Sequence, residues 1–179
     1  MPFSPISPPE PVPDAKIQTA YEICGLEVMG KIVELWIPRP SRILDVGCGD
    51  GILGRVLLEK FPSVHVTFTD FSDPMLAAVR AKLANSSRAT VLKADFSDPS
   101  WLDAVAGKGP FDVVVSGFAI HHQADGRKKA LYAEIHGILA PGGVFLNLEH
   151  VASATRTNKM NGKRTTIFMR QEGSPDSRS

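Results

Sequence analysis

Cysteine is nearly absent from this 179-residue chain. Cys24 and Cys48 are its only two, too few for a disulfide framework or a cysteine-based zinc site, and they suit a reducing cytoplasm. Excess charge of either sign is missing as well. A formal net charge of +1 gives no general electrostatic reason to expect nucleic acid or a membrane surface as partner. No apolar run approaches the roughly 20 residues needed to span a bilayer. The amino terminus has no basic-then-apolar leader pattern. What remains is a soluble cytoplasmic protein with no membrane association, whose length and 43% hydrophobic content fit one domain with its own core.

Proline, by contrast, is concentrated. Residues 1–13 hold six of them (Pro2, Pro5, Pro8, Pro9, Pro11, Pro13), each removing a backbone donor and biasing its predecessor away from helix, so this arm is expected to be disordered. Residues 14–150 form the folded domain. Asp14 caps a helix from Ala15 to about Trp36, with Ile17, Tyr21, Cys24, Val28, Ile32 and Leu35 at helical spacing. Strands are predicted at 42–46, 64–69, 89–92, 111–115 and 144–148. Helices are expected to about Lys60, from Asp73-Pro74 to about Ala84, around 101–105 and over 127–139. This alternation implies right-handed crossovers and a mostly parallel sheet covered on both faces, an α/β fold.

In such a sheet, ligands bind outside the carboxyl ends of the strands where strand order reverses. The residues at those ends carry the chemistry. The turn Gly47-Cys48-Gly49-Asp50-Gly51 lets a ligand approach bare backbone, and the helix behind it offers free N–H groups. Asp70 follows about 20 residues later, where a carboxylate can accept both hydroxyls of a ribose. Asp95 can accept from an exocyclic amine, and Phe96 offers an apolar face to a purine. An aspartate after a strand also serves as a helix cap, as read for Asp73 and Asp98, and Phe96 fits the core equally well. Loop and Asp70 together point to a nucleoside with a second, polar or charged end.

Gly49-Asp50-Gly51-Ile52-Leu53-Gly54 fits the dinucleotide fingerprint G-x-G-x-x-G. The longer segment Ile43 to Gly51 instead resembles the D-x-G-x-G-x-G signature of class I S-adenosylmethionine-dependent methyltransferases. Asp45 within that turn suits an ammonium and a sulfonium better than a pyrophosphate. Four further segments resemble the same family: Thr69-Asp70-Phe71-Ser72 with Met75-Leu76, Ala94-Asp95-Phe96, the run from Phe111 through Ser116 to His122, and Leu139 to Phe145. The resemblance covers about residues 20–150. It implies a Rossmann-like three-layer sandwich and S-adenosyl-L-methionine as cofactor. It also implies that Asp45, Gly47 and Gly49, with Cys48 between them, meet the methionine end. Asp70, with Phe71 and Met75 in its segment, meets the ribose, and Asp95 with Phe96 the adenine. Ser116 belongs to the fourth-strand segment, typical of members acting on small molecules.

Methyl transfer from a sulfonium needs alignment more than acid–base machinery. Where an acceptor must lose a proton, His121 or His122, just beyond the fourth strand, is the candidate base; one of them can equally cap the next helix or pack under a loop. His65, His136 and His150 lack ligand-like spacing, so no metal is expected. The resemblance departs at the carboxyl end. The family's sheet closes with an antiparallel hairpin, yet residues 151–179 are a polar, basic, weakly ordered tail whose sole strand-like run is Thr165–Met169. The sheet is therefore expected to have about five strands, lacking the hairpin. That leaves Val144–Leu148 as an exposed edge suited to homodimer formation. Three functions follow: methyl transfer to a small-molecule acceptor, a non-catalytic or truncated S-adenosylmethionine-binding module, or an NAD-dependent oxidoreductase.

Overall fold

The computed structural model describes residues 14–83, 86–151 and 163–170; the proline-rich arm and most of the tail lie outside them. The chain runs α1 (Asp14–Trp36), β1 (Arg42–Val46), α2 (Ile52–Lys60), β2 (His65–Asp70), α3 (Asp73–Leu83), β3 (Ala89–Lys93), α4 (Trp101–Val105) and β4 (Phe111–Gly117). A 3-10 turn (Ile120–His122), α5 (Asp125–Ile138), β5 (Leu139–Val151) and β6 (Lys163–Arg170) complete it. The sheet order is β3-β2-β1-β4-β5-β6. The first five strands pair in parallel and β6 runs antiparallel to β5. The chain builds outward from β1 to β3, then crosses back to β4 on the other side of β1. The reversal of strand order therefore lies between β1 and β4, and the carboxyl ends there diverge into a crevice.

Alternation along the strands sorts the core into two layers. Ile43, Val66, Phe68, Val113 and Leu146 pack with Met29 and Val33 of α1, Leu53 and Leu57 of α2, and Leu76 and Val79 of α3. Leu44, Val46, Val114 and Phe145 turn the other way, onto Trp101 of α4 and Leu131 and Ile135 of α5. A period of two on one sheet, covered on both faces, gives the three-layer α/β architecture the strand pattern predicts. No helix among the described residues is long and apolar enough to cross a membrane.

Three expectations need correction. The sheet does not stop at β5: Val144–Val151 pairs residue by residue with Arg170–Lys163, so the edge expected to be open for a second copy is covered by the chain's own β6. One strand from this segment, Lys163–Arg170, supplies the antiparallel closure. Second, the buried face of α1 is shifted from the one expected. Met29 and Val33 are in the core with Leu26 and the predicted Ile32 packed against it, whereas the predicted Val28 and Leu35 are exposed. A Cβ on Gly25 would stand 2.7 Å from the Leu148 side chain, so this glycine permits the close approach of α1 to β5. Third, β5 begins at Leu139 rather than Val144, running through Pro141-Gly142-Gly143 with a register shift against β4 between Phe111 and Val113. At Gly143 a Cβ would meet three backbone carbonyl oxygens within 3.1 Å, which is why the irregularity carries glycine.

Candidate functional site

The crevice at the β1/β4 divergence is a cavity of about 760 Å³, within the range of small-molecule sites. Its floor is the turn after β1. Gly47, Gly49 and Gly51 all have positive φ, at 65, 54 and 79°. A Cβ on Gly47 would lie 2.5 Å from the Ala119 Cβ and 2.9 Å from the Phe96 ring, whereas one on Gly49 would meet nothing within 4 Å. Gly47 is thus demanded by packing. Gly49 keeps bare backbone facing the cavity.

Asp70, at the end of β2, is buried and lines the cavity. Its Oδ2 accepts the Gly49 N–H at 2.9 Å and its Oδ1 the Ser72 N–H at 2.9 Å. Each oxygen keeps a lone pair for a ligand hydroxyl. Asp95, exposed at the end of β3, accepts the Ser97 N–H and lines the same wall, with the buried Phe96 beside it. Phe71 and Met75, about 63% and 45% exposed, form an apolar rim. Cys48 lines the cavity as a buried thiol pushed up in pKa by desolvation, with the Asp45 and Asp70 charges adding.

Asp45 is placed otherwise. Its side chain points under α2, whose first residues follow Gly51, an N-cap with no side chain to offer. Asp45 Oδ2 supplies that acceptor, taking the Gly54 N–H at 2.8 Å. Glycine at 54 is required, because a Cβ there would stand 2.3 Å from the Phe68 ring. The other oxygen, Oδ1, is buried with no hydrogen-bond partner. A small second cavity of about 90 Å³ lies against Asp45, sharing Gly47, Cys48, Ile52, Gly117 and Phe118 with the large one. Desolvation pushes the Asp45 carboxyl up to about 7; the Gly54 N–H opposes this, and the Asp70 and Asp50 charges add to it. A buried acceptor without a donor, beside a cavity, is the feature a cationic ligand group would satisfy.

Ser116 is not among the cavity residues: its Oγ donates to the Val46 carbonyl at 2.9 Å and ties β4 to β1. The histidines part company. His122 lines the cavity. His121 turns inward, with Nδ1 2.6 Å from Glu149 Oε2, and its ring packs on His122 at a centroid distance of 3.9 Å.

Several site-building residues were not singled out in the sequence. Glu149, buried near the end of β5, also accepts the Ile120 and His121 N–H groups. Arg127 donates through Nε to the Phe96 carbonyl at 2.8 Å and through both terminal nitrogens to Glu134. Trp101 Nε1 donates to the same carboxylate. The Arg127 hydrogen bonds hold the Glu134 carboxyl below its ordinary value against the opposing effect of burial, and Trp101 adds to them. This network fixes the loop bearing Asp95 and Phe96. Phe118, in the cavity wall, holds a φ of 55°, a costly conformation for a bulky side chain that recurs at ligand sites.

Comparison with known proteins places these features in a family. Residues 43–143 match the family model described as "Methyltransferase domain". A demethylmenaquinone methyltransferase of Thermus thermophilus is 38% identical over 110 residues, covering 62% of this chain and 47% of that protein. A trans-aconitate 2-methyltransferase of an Acidovorax species is 34% identical over 108 residues, covering 60% of this chain and 38% of that protein. Among solved structures, phosphoethanolamine N-methyltransferase 2 of Haemonchus contortus, in complex with S-adenosyl-L-methionine, superposes with a TM-score of 0.56 at 26% identity. It covers 72% of this chain and 29% of that one. An amino pentose methyltransferase from Micromonospora echinaspora shares the fold, with a TM-score of 0.59 at 24% identity over 79% of this chain and 58% of its own. The chain spans about half the length, 47% and 53%, of the first curated relatives it matches.

Proposed function

This chain belongs to the methyltransferase domain family, and we propose that it binds S-adenosylmethionine in the β1/β4 crevice and transfers the methyl group to a small-molecule acceptor. The observation that carries this reading is Asp45 Oδ1, a buried carboxyl oxygen without a partner, on a residue that borders the small cavity adjoining the glycine-floored crevice. The ammonium of the donor's methionine end is a cationic hydrogen-bond donor of the kind this oxygen lacks. A dinucleotide pyrophosphate on the same loop would lie against the Asp70 carboxylate, with Asp45 close behind and Asp50 already paired to Lys82, which argues against a nicotinamide cofactor.

The remaining assignments follow from position. Asp70 has acceptor capacity for the ribose hydroxyls. Asp95 stands where an adenine amine would donate, and Phe71, Met75 and Phe96 supply apolar surface for the ring. S-adenosylmethionine supplies, when bound, a methyl group already activated on sulfur. The protein's part is to hold that donor and an acceptor in line and to keep water out. His122 is the titratable side chain on the acceptor wall and can take a proton from an acceptor that must lose one.

Calorimetry with S-adenosylhomocysteine tests the reading. Wild type is expected to bind. Asp70→Ala is expected to weaken binding about 10- to 100-fold, the value of charge-assisted hydrogen bonds lost from a buried site. Absence of binding by wild type would sink the proposal. Labelled donor with a panel of hydroxyl, amine and carbon acids then tests transfer.

A further inference from the structure

Neither Glu149 nor His121 lines the large cavity, yet the pair is closely bonded to the turn that borders it. Glu149 is 4% exposed. Its Oε1 accepts the Ile120 N–H at 2.8 Å and the His121 N–H at 3.1 Å, and its Oε2 stands 2.6 Å from His121 Nδ1. One side chain from β5 thus takes up donors from two successive residues of a 3-10 turn nearly thirty residues earlier in the chain. A carboxylate only accepts, so His121 must present N–H at Nδ1, and its tautomer and ring plane are set. The His122 ring packs against that oriented ring and lines the cavity.

The topology says which wall this is. Asp70 and Asp95 stand at the ends of β2 and β3, on one side of β1, and His122 follows β4 on the other side. We infer that Glu149 is a positioning residue for the acceptor wall: it fixes the His121 tautomer and the 120–122 turn, so that His122, and not His121, meets the acceptor. The identity of the ligands on either wall rests on the methyl-transfer reading above; the pairing itself does not.

The replacement that separates positioning from mere support is Glu149→Gln. Its amide oxygen can still accept both backbone N–H groups, but its NH₂ then faces His121 Nδ1 and forces the ring proton onto Nε2. Long-range ¹H–¹⁵N spectra of the full chain, without ligand, should show His121 protonated on Nδ1 in wild type and on Nε2 in Glu149→Gln. The rate at which diethyl pyrocarbonate modifies His122 should change at least about fivefold, the factor that one lost hydrogen bond corresponds to. Affinity for S-adenosylhomocysteine should stay within about twofold, as for sites that do not share partners.

The same His121 tautomer in both proteins, or unchanged His122 reactivity, would overturn the inference. So would loss of S-adenosylhomocysteine binding in the variant alone, which would put Glu149 on the donor side. Failure of wild type to bind that probe would instead remove the methyl-transfer reading, which the ligand-free spectra do not depend on. Should Glu149→Gln not fold, His121→Phe keeps a ring against His122 and removes the hydrogen bond. The same change in His122 reactivity is then expected, and none would again overturn the proposal.

Discussion

The two oxygens of Asp45 are placed differently. Oδ2 caps α2 from the strand before it, and Oδ1 is buried without a hydrogen-bond partner. Burial raises the carboxyl from 3.8 to about 7. Between those values the folded chain holds a proton that the unfolded chain has released, so this group's stabilising contribution is complete below pH 3.8 and is lost as pH rises through about 7. Asp45→Asn keeps an acceptor for the Gly54 N–H and cannot ionise. The variant should match wild type near the acid end of that window and exceed it at alkaline pH by on the order of a few kcal/mol. Denaturant unfolding across the range checks this, and a pH-independent difference would contradict it. The price of the site is thus a less stable empty protein. In the sequence, Asp45 is a ligand residue by what the resemblance to the D-x-G-x-G-x-G signature implies. Its capping role was not legible, because Gly51 as the cap of α2 gives no sign of who replaces the missing side chain.

At the scale of elements, strand and helix patterns were read well wherever one periodicity had no rival. α1 offered apolar residues on two sides, Val28 and Leu35 on one and Leu26, Met29 and Val33 on the other with Ile32 between, and helical spacing cannot choose between them. Gly25 settles the matter by letting the second side close on Leu148. Glu149 was passed over for a related reason: a charged residue near a strand end reads as solvent-facing, and its partners lie 28 and 29 positions away. In the tail, Thr165–Met169 was legible as a strand-like run, but one run cannot make the expected hairpin; its contribution is a single antiparallel ladder along β5, which the run alone does not report. Removing residues 163–179 should uncover the apolar β5 edge and drive self-association. Sedimentation velocity of the truncated chain would reveal it, and a monomer of unchanged stability would show that β6 is dispensable.

For the molecule as a whole, the two core layers make the sheet a rigid platform with every candidate ligand group at one rim. A ligand bound there contacts the ends of β1, β2, β3 and β4 together, so its binding energy is shared by the entire fold. Linkage then sets the expected effect. S-adenosylhomocysteine at a hundred times its dissociation constant should stabilise the native state by about 2.7 kcal/mol. For a chain of this length that raises Tm by about 5–10 °C. A thermal scan with and without the compound measures it; an unmoved midpoint at saturation would mean that the occupied site is not part of the native core.

The paired hydrogen bonds of Asp70 have one further consequence. Because the same carboxylate accepts from Gly49 and Ser72, the loops after the first and second strands are tied to each other through the protein's own hydrogen bonds. An incoming nucleoside therefore displaces solvent from finished walls and does not have to organise a floppy chain. Its arrival rate should be governed by diffusion and orientation, with little delay for rearrangement of this side of the crevice.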